Sequence, residues 1–147
     1  MEPLQKNLQN IEDLGKEAAR LVSNLTPKEE RATLITLSGE LGAGKTAFVQ
    51  AAATALGVMD HVTSPTFVLA KRYELLGMPF ARLIHIDAYR LKDGEDLRSI
   101  SFNELMQDSE NLVALEWPEI VADGLPVADV AIRLEVLSDG SRSLTYA

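Results

Sequence analysis

The chain carries, at residues 39–46, the sequence Gly39-Glu40-Leu41-Gly42-Ala43-Gly44-Lys45-Thr46. This stretch fits the P-loop pattern, in which two glycines separated by four residues are followed by Lys and Ser or Thr. An apolar, β-branched run at residues 33–37 precedes it, and a helix-forming run at residues 47–53 follows it. Strand, glycine loop and helix is the order that a phosphate-binding loop requires. The stretch therefore predicts an α/β fold of the P-loop NTPase type.

The residue types of the motif suit phosphate chemistry. Glycines permit backbone angles that a Cβ would forbid, so the loop can turn its N–H groups inward around phosphate oxygens. The following helix adds the positive end of its dipole. We expect Lys45 to reach the β- and γ-phosphates and the Thr46 hydroxyl to hold Mg²⁺.

Composition sets limits on the kind of protein. A length of 147 residues predicts a single domain, residues 1–147, large enough for a hydrophobic core. The chain has no cysteine, and its N-terminal residues lack the order of a signal peptide, so we expect a cytoplasmic location. The net charge of −8 argues against direct binding of nucleic acid, because phosphate contacts need cations. Any role on RNA is therefore expected to depend on a partner.

The remaining patterns predict a mixed β-sheet flanked by helices. A capping-box pattern, Ser101-Phe102-Asn103-Glu104, predicts the start of a helix. The predicted elements are a helix at 7–25, a strand at 33–38, a helix at 45–56, a hairpin of strands 67–75 and 80–86, helical residues 94–107 in two pieces, a strand at 112–115, and a hairpin of strands 127–136 and 141–146.

Two acidic residues are candidates for the carboxylate that a P-loop needs to organise Mg²⁺ and water. Asp87 ends the apolar run 83–86, and Glu116 ends the apolar run 112–115. The residues alone do not rank one above the other.

Other residues admit two interpretations. Thr66 lies in a proline-containing loop after the P-loop helix, where many P-loop enzymes carry a switch that senses the γ-phosphate, although an ordinary turn is the simpler reading. His85 and Tyr89 suit either a core or the rim of a site. Arg90 suits a phosphate, a carboxylate or solvent, and Trp117 suits the nucleotide or the core.

Four motifs together resemble the TsaE (YjeE) family, the bacterial ATPases of tRNA threonylcarbamoyl-adenosine synthesis. The resemblance covers nearly the whole chain, and the last three motifs are far more specific than a P-loop. In family order the motifs are residues 39–46, Ser64-Pro65-Thr66-Phe67, His85-Ile86-Asp87-Ala88-Tyr89-Arg90 and Glu116-Trp117-Pro118-Glu119.

The resemblance implies roles for individual residues. Lys45, Asp87 and Glu116 would be catalytic, and Thr46 and Glu116 would hold Mg²⁺. Thr66 would belong to a switch-like loop. The residues implied to bind ATP are Gly39, Glu40, Leu41, Gly42, Ala43, Gly44, Lys45, Thr46, Ala47, Thr66, Trp117 and Gly140, the last through an approach to the base.

The resemblance also implies partners. ATP hydrolysis would support a complex with the two other bacterial threonylcarbamoyl-transfer proteins, TsaD and TsaB, which modifies tRNA at adenosine 37. Two positions depart from the family pattern. Ala47 replaces a frequent second threonine, and Ser101 stands where a glycine is expected. The capping-box interpretation of Ser101 predicts an altered helix junction.

Two other functions fit the P-loop. A small-molecule kinase is the main alternative, and it would need an arginine-bearing lid and a basic acceptor site. The cations after the P-loop show no obvious lid cluster in the sequence: Lys71, Arg72, Arg82, Arg90, Lys92, Arg98, Arg133 and Arg142. A nucleotide-gated binding module without meaningful turnover is the third reading. The chain lacks an Asn-Lys-x-Asp motif, which favours ATP over GTP.

Overall fold

The computed structural model describes residues 4–59 and 69–146. The strands are β1 (Leu4–Leu8), β2 (Thr33–Ser38), β3 (Ala70–Glu74), β4 (Arg82–Asp87), β5 (Asn111–Glu116), β6 (Val130–Val136) and β7 (Arg142–Tyr146). The α-helices are α1 (Ile11–Ser23), α2 (Lys45–Ala55) and α3 (Phe102–Gln107), and short 3₁₀ helices span Gly94–Ile100, Pro118–Ile120 and Ala122–Gly124. The expected α/β class is confirmed.

The seven strands form one mixed sheet in the order β1-β7-β6-β2-β5-β4-β3. The central strands β6, β2, β5 and β4 are parallel, whereas β3, β7 and β1 pair with their neighbours in the antiparallel sense. The carboxyl ends of β2, β5 and β4 therefore meet at one edge of the sheet. In open α/β sheets this edge is the usual location of a ligand site.

Helices cover both faces of the sheet. One core lies between the sheet and the pair α1 and α2, and it includes Leu14, Leu37 and Phe48. The opposite core lies under α3 and the 3₁₀ helices, and it includes Ile86 and Phe102. Side chains of a strand alternate between the faces, so the nearly continuous apolar central strands are explained by burial on both sides.

The helix predicted at residues 7–25 begins later than expected. Asn10 caps α1 by accepting a hydrogen bond of 2.9 Å from the backbone N–H of Asp13. The preceding residues form β1, which pairs with β7 and places Leu8 in the core. The predicted helix start at residue 7 was wrong. Leu8, Ile11 and Leu14 have the spacing of a helix face, but Leu8 belongs to strand β1.

The second helical piece, α3, begins at Phe102 with Ser101 at its N-cap, as predicted, but the capping interaction is corrected. Ser101 makes no capping hydrogen bond from its side chain, and its φ of 56° lies in the left-handed region. A glycine adopts that conformation without strain, which is consistent with the glycine expected at this position. The two hairpins were predicted correctly, as β3–β4 and β6–β7. No helix within the described residues combines the length and apolar character needed to cross a membrane.

A buried carboxylate joins the N-terminal strand, the first helix and the last strand. Glu17 on α1 accepts hydrogen bonds from Lys6 Nζ at 3.1 Å, Arg20 Nη2 at 2.5 Å and the Tyr146 hydroxyl at 2.5 Å. Burial by itself raises the pKa of Glu17, but these donors outweigh it and lower the pKa from 4.5 to about 2. The ionised carboxylate thus stabilises the fold.

We expect Glu17→Gln to lower the free energy of unfolding at pH 7 by about 2–3 kcal/mol. Because the folded pKa is depressed, the contribution is complete above pH 4.5 and is lost as the pH falls towards 2. In urea titrations of both proteins between pH 7 and pH 3, the difference in unfolding free energy should therefore shrink as the pH falls below 4.5. Glu29→Gln, at an exposed position, is the control. A pH-independent difference would contradict this account.

Candidate functional site

The P-loop connects β2 to α2 and takes backbone angles that require glycine. Gly39 has a φ of 145°, and a Cβ there would lie 2.4 Å from the carbonyl oxygen of Leu134. Gly44 has a φ of 107° and stands at the N-cap of α2, which no side chain caps in the described part of the chain. The N-terminal N–H groups of α2 are therefore left for another acceptor, and an anion suits that position.

A cleft of about 540 Å³ lies over the start of α2. P-loop residues form its floor, and the ends of β4 and β5 form one wall. The lining residues are Ile11, Leu41, Gly42, Gly44, Lys45, Thr46, Ala47, Leu69, Asp87, Tyr89, Arg90, Glu116, Trp117 and Arg142. The cleft unites Lys45, Thr46, Ala47, Asp87, Glu116 and Trp117, all of which were predicted site residues.

Lys45 is nearly buried, with 5% of its surface exposed. Its ammonium group donates to the backbone carbonyls of Gly39 and Glu40, the latter at 2.9 Å. Burial lowers the pKa of Lys45, and this effect is opposed by the negative charges of Glu116, Glu119 and Asp87. The ammonium therefore lies at the loop, within the electrostatic influence of three carboxylates.

Trp117 covers that ammonium group. The Lys45 Nζ atom lies 3.9 Å from the centroid of the indole ring, a cation–π distance. The centroids of the Tyr89 and Trp117 rings are 5.0 Å apart. Trp117 has a left-handed φ of 63° while its N–H donates to the Leu37 carbonyl at 3.1 Å. Strained backbone of this kind clusters at functional sites, and here it turns the ring over the P-loop.

Thr46 and Glu116 form the oxygen-rich part of the site. The Thr46 hydroxyl lies 3.1 Å from each carboxylate oxygen of Glu116, which is 2% exposed. His85 Nε2 lies 2.5 Å from Glu116 Oε2, so His85 belongs to the site as well as to the buried sheet. The sequence had left its role open.

Asp87 stands beside Glu116 at the end of the neighbouring strand. The two residues are register partners in the β4–β5 pair. Asp87 Oδ1 accepts a hydrogen bond of 3.0 Å from the backbone N–H of Tyr89, which orients the carboxylate at the strand end. The two candidate carboxylates are thus neighbours, with Glu116 bonded to the P-loop threonine.

Arg142 is a site residue that no sequence motif indicated. Its Nε donates to the Ala43 carbonyl at 3.0 Å, and its Nη2 lies 3.4 Å from the Gly42 carbonyl. The contact joins β7 to the P-loop across 99 positions of the chain. Ile11, the first residue of α1, also lines the cleft.

Thr66 and Gly140 were predicted site residues that the described cleft does not include. Thr66, with the motif 64–67 around it, lies outside the described residues. Gly140 has a φ of 87° in the turn between β6 and β7. It is not among the described residues that line the cleft, whereas Arg142, two positions later, is.

The donor set suits Mg²⁺ held together with a phosphate. Mg²⁺ prefers oxygen ligands and is usually bound by one or two protein groups plus phosphates and water. Thr46 and Glu116 supply oxygens of this kind side by side. Among the described residues no cluster of three or more His, Asp or Glu side chains could hold a metal by itself. Thr46 and Glu116 thus fit a metal ion whose other ligands are the phosphates of a nucleotide and water.

Comparison with known proteins agrees with the motifs. Residues 6–144 match the model of a family described as threonylcarbamoyl adenosine biosynthesis protein TsaE. A tRNA threonylcarbamoyladenosine biosynthesis protein TsaE of Treponema pallidum is 40% identical over 118 residues, 80% of this chain and 84% of that protein. The Rickettsia felis protein of the same name is 33% identical over 136 residues, 92% of this chain and 74% of the relative.

A solved structure supports the same conclusion. The crystal structure of Bacillus subtilis YdiB superposes with a TM-score of 0.79 at 25% sequence identity, over 99% of this chain and 84% of that one. The family match spans nearly the whole chain, including most of β1, the P-loop and most of β7. The chain therefore belongs to the TsaE family of tRNA threonylcarbamoyladenosine biosynthesis proteins.

Proposed function

We propose that this chain binds and hydrolyses Mg-ATP, and that hydrolysis supports threonylcarbamoyladenosine modification of tRNA within a multiprotein complex. The observation that carries the proposal is the single cleft in which Lys45, Thr46, Asp87 and Glu116 meet an uncapped helix N-terminus. Phosphoryl transfer depends on positioning and charge more than on covalent chemistry, and these groups supply both.

The negative charges around Lys45 indicate why nucleotide binding would require a divalent metal. Glu116, Glu119 and Asp87 are close enough to act on the charge of Lys45. A polyphosphate entering the cleft would be repelled by the same carboxylates unless a divalent cation lay between them. Bound Mg²⁺ would neutralise developing charge on the phosphates. Thr46 and Glu116 are the residues that would hold it.

The other groups of the cleft have separate proposed roles in binding the phosphates, orienting water and supporting the loop. Loop N–H groups and the N-terminus of α2 bind the phosphates, and the Lys45 ammonium follows the charge of the transferred group. Asp87, fixed by the Tyr89 N–H, would orient water or the hydration shell of the metal. Arg142 holds the loop through the carbonyls of Gly42 and Ala43.

The proposed partners are the TsaD and TsaB proteins, with tRNA engaged indirectly. A net charge of −8 leaves few cations with which to release counterions from RNA. The relatives' names place them in tRNA modification, so this chain's link to tRNA is proposed to run through other proteins.

We expect slow ATP hydrolysis by the isolated protein and stimulation when the two partner proteins are added. Binding to bare tRNA should be weak, for the electrostatic reason given above. Phosphate release and tRNA retention, each measured with and without the partners, check both points. The Lys45→Ala protein mixed with the same partners is the control for contaminating ATPases. Efficient phosphorylation of a small acceptor without any partner would contradict the proposal and support a kinase instead.

A further inference from the structure

His85 is buried more deeply than any other charged or ionisable residue near the cleft, with an exposed fraction of 0%. It lies on β4, where its register partner on β5 is Ala114. Glu116 is two residues further along β5, on the same face of the sheet, so the imidazole reaches it diagonally past the small alanine side chain.

The contact assigns the tautomer of the ring. Nε2 lies 2.5 Å from Glu116 Oε2, and a carboxylate oxygen accepts, so Nε2 must carry the proton. Nδ1 is buried and has no hydrogen-bond partner within the described part of the chain. Among the described residues, the only side-chain hydrogen bond of His85 is thus directed at Glu116.

We propose that His85 is a positioning residue for the metal-binding carboxylate. Donation from Nε2 engages Oε2 and fixes the rotation of the carboxylate, both of whose oxygens lie 3.1 Å from the Thr46 hydroxyl, and this leaves Oε1 for the metal or one of its waters. Hydrogen bonds to ligating carboxylates commonly control metal affinity in this way. This inference rests on the proposed Mg-ATP function.

The decisive measurement is the contribution of Mg²⁺ to nucleotide binding. A fluorescent, non-hydrolysable ATP analogue is titrated into the full-length protein with Mg²⁺ and with EDTA. We expect His85→Leu to leave affinity in EDTA within about twofold and to reduce the gain on adding Mg²⁺ by about tenfold. His85→Gln places an N–H donor near the position of Nε2 and should restore most of the gain.

Two further results can overturn the inference. In a Glu116→Gln background, His85→Leu should cause no additional loss of the Mg²⁺ gain, whereas independent, additive losses would reject a role through Glu116. In the metal-free protein, NMR should show a hydrogen-bonded imidazole N–H that exchanges slowly and disappears in His85→Gln. The sequence contains only two histidines, which simplifies the assignment. Absence of that signal would also reject the inference.

The same variants separate this inference from the proposed function. If Glu116→Gln itself leaves the Mg²⁺ gain unchanged, the metal-binding role of Glu116 fails. If Glu116→Gln removes the gain while His85→Leu does not, the function stands and only the positioning role of His85 is wrong. Thermal unfolding of each variant excludes loss of the fold as the cause.

Discussion

Lys45→Ala is expected to abolish Mg-ATP hydrolysis, with a loss of about 10²–10³-fold or more. Lys45 is the motif cation placed to follow the phosphates into the transition state, and its ammonium lies beside the Gly39 and Glu40 carbonyls of the loop. Removal of a positioned charge in a partly desolvated site costs several kcal/mol of transition-state stabilisation. Phosphate release under single-turnover conditions measures the effect.

Controls separate chemistry from folding. Lys45→Met keeps the apolar stem under Trp117 while removing the charge, so it should be as inactive as the alanine variant. Lys16→Ala changes an exposed lysine of α1 and should hydrolyse ATP like the unmodified protein. Near-normal turnover in a folded Lys45→Ala protein would reject the P-loop assignment.

Glu116→Ala and Asp87→Ala should impair hydrolysis more than nucleotide binding. The loop N–H groups still hold the phosphates when either carboxylate is removed, but control of the metal and water is lost. We expect at least about a 100-fold fall in turnover for Glu116→Ala. Titration of a fluorescent ATP analogue beside turnover assays distinguishes binding from chemistry.

A matched control is Glu74→Ala, which removes an exposed carboxylate from β3. It should alter neither quantity. The isosteric variants Glu116→Gln and Asp87→Asn test whether charge rather than packing is responsible. If both carboxylate variants hydrolyse ATP normally, the proposed acidic constellation is wrong.

The parts of this site that could be read from the sequence are those built from contiguous residues. Residues 33–56 encode a strand, a glycine loop and a helix in order, so the P-loop was predictable with its bounds. The ends of β4 and β5 were also recognisable, because apolar runs stop there at Asp87 and Glu116. Which carboxylate joins Thr46 depends on side-chain geometry, and the residues alone left that open.

The features that were missed depend on contacts between distant parts of the chain. Leu8 fits a helix by spacing, and only pairing with β7 makes it part of a strand. Arg142 resembles any surface cation until β7 is placed beside the P-loop. Ser101 matched a capping pattern, but a left-handed backbone conformation, invisible in a motif, decides its role.

The pairing of β1 with β7 has a consequence for biosynthesis. β1 can pair only after β7 has been made, and the two strands are far apart in the chain: the Gln5 side chain bonds to Ser143 across 138 positions. A nascent chain can form the strand–loop–helix unit of the P-loop early. Until residues 142–146 have left the ribosome, however, β1 lacks its pairing strand β7, and the carbonyls of Gly42 and Ala43 lack the Arg142 contact. Long-range pairing of this kind is slow to form. The nucleotide cleft is therefore completed only after β7 has been synthesised.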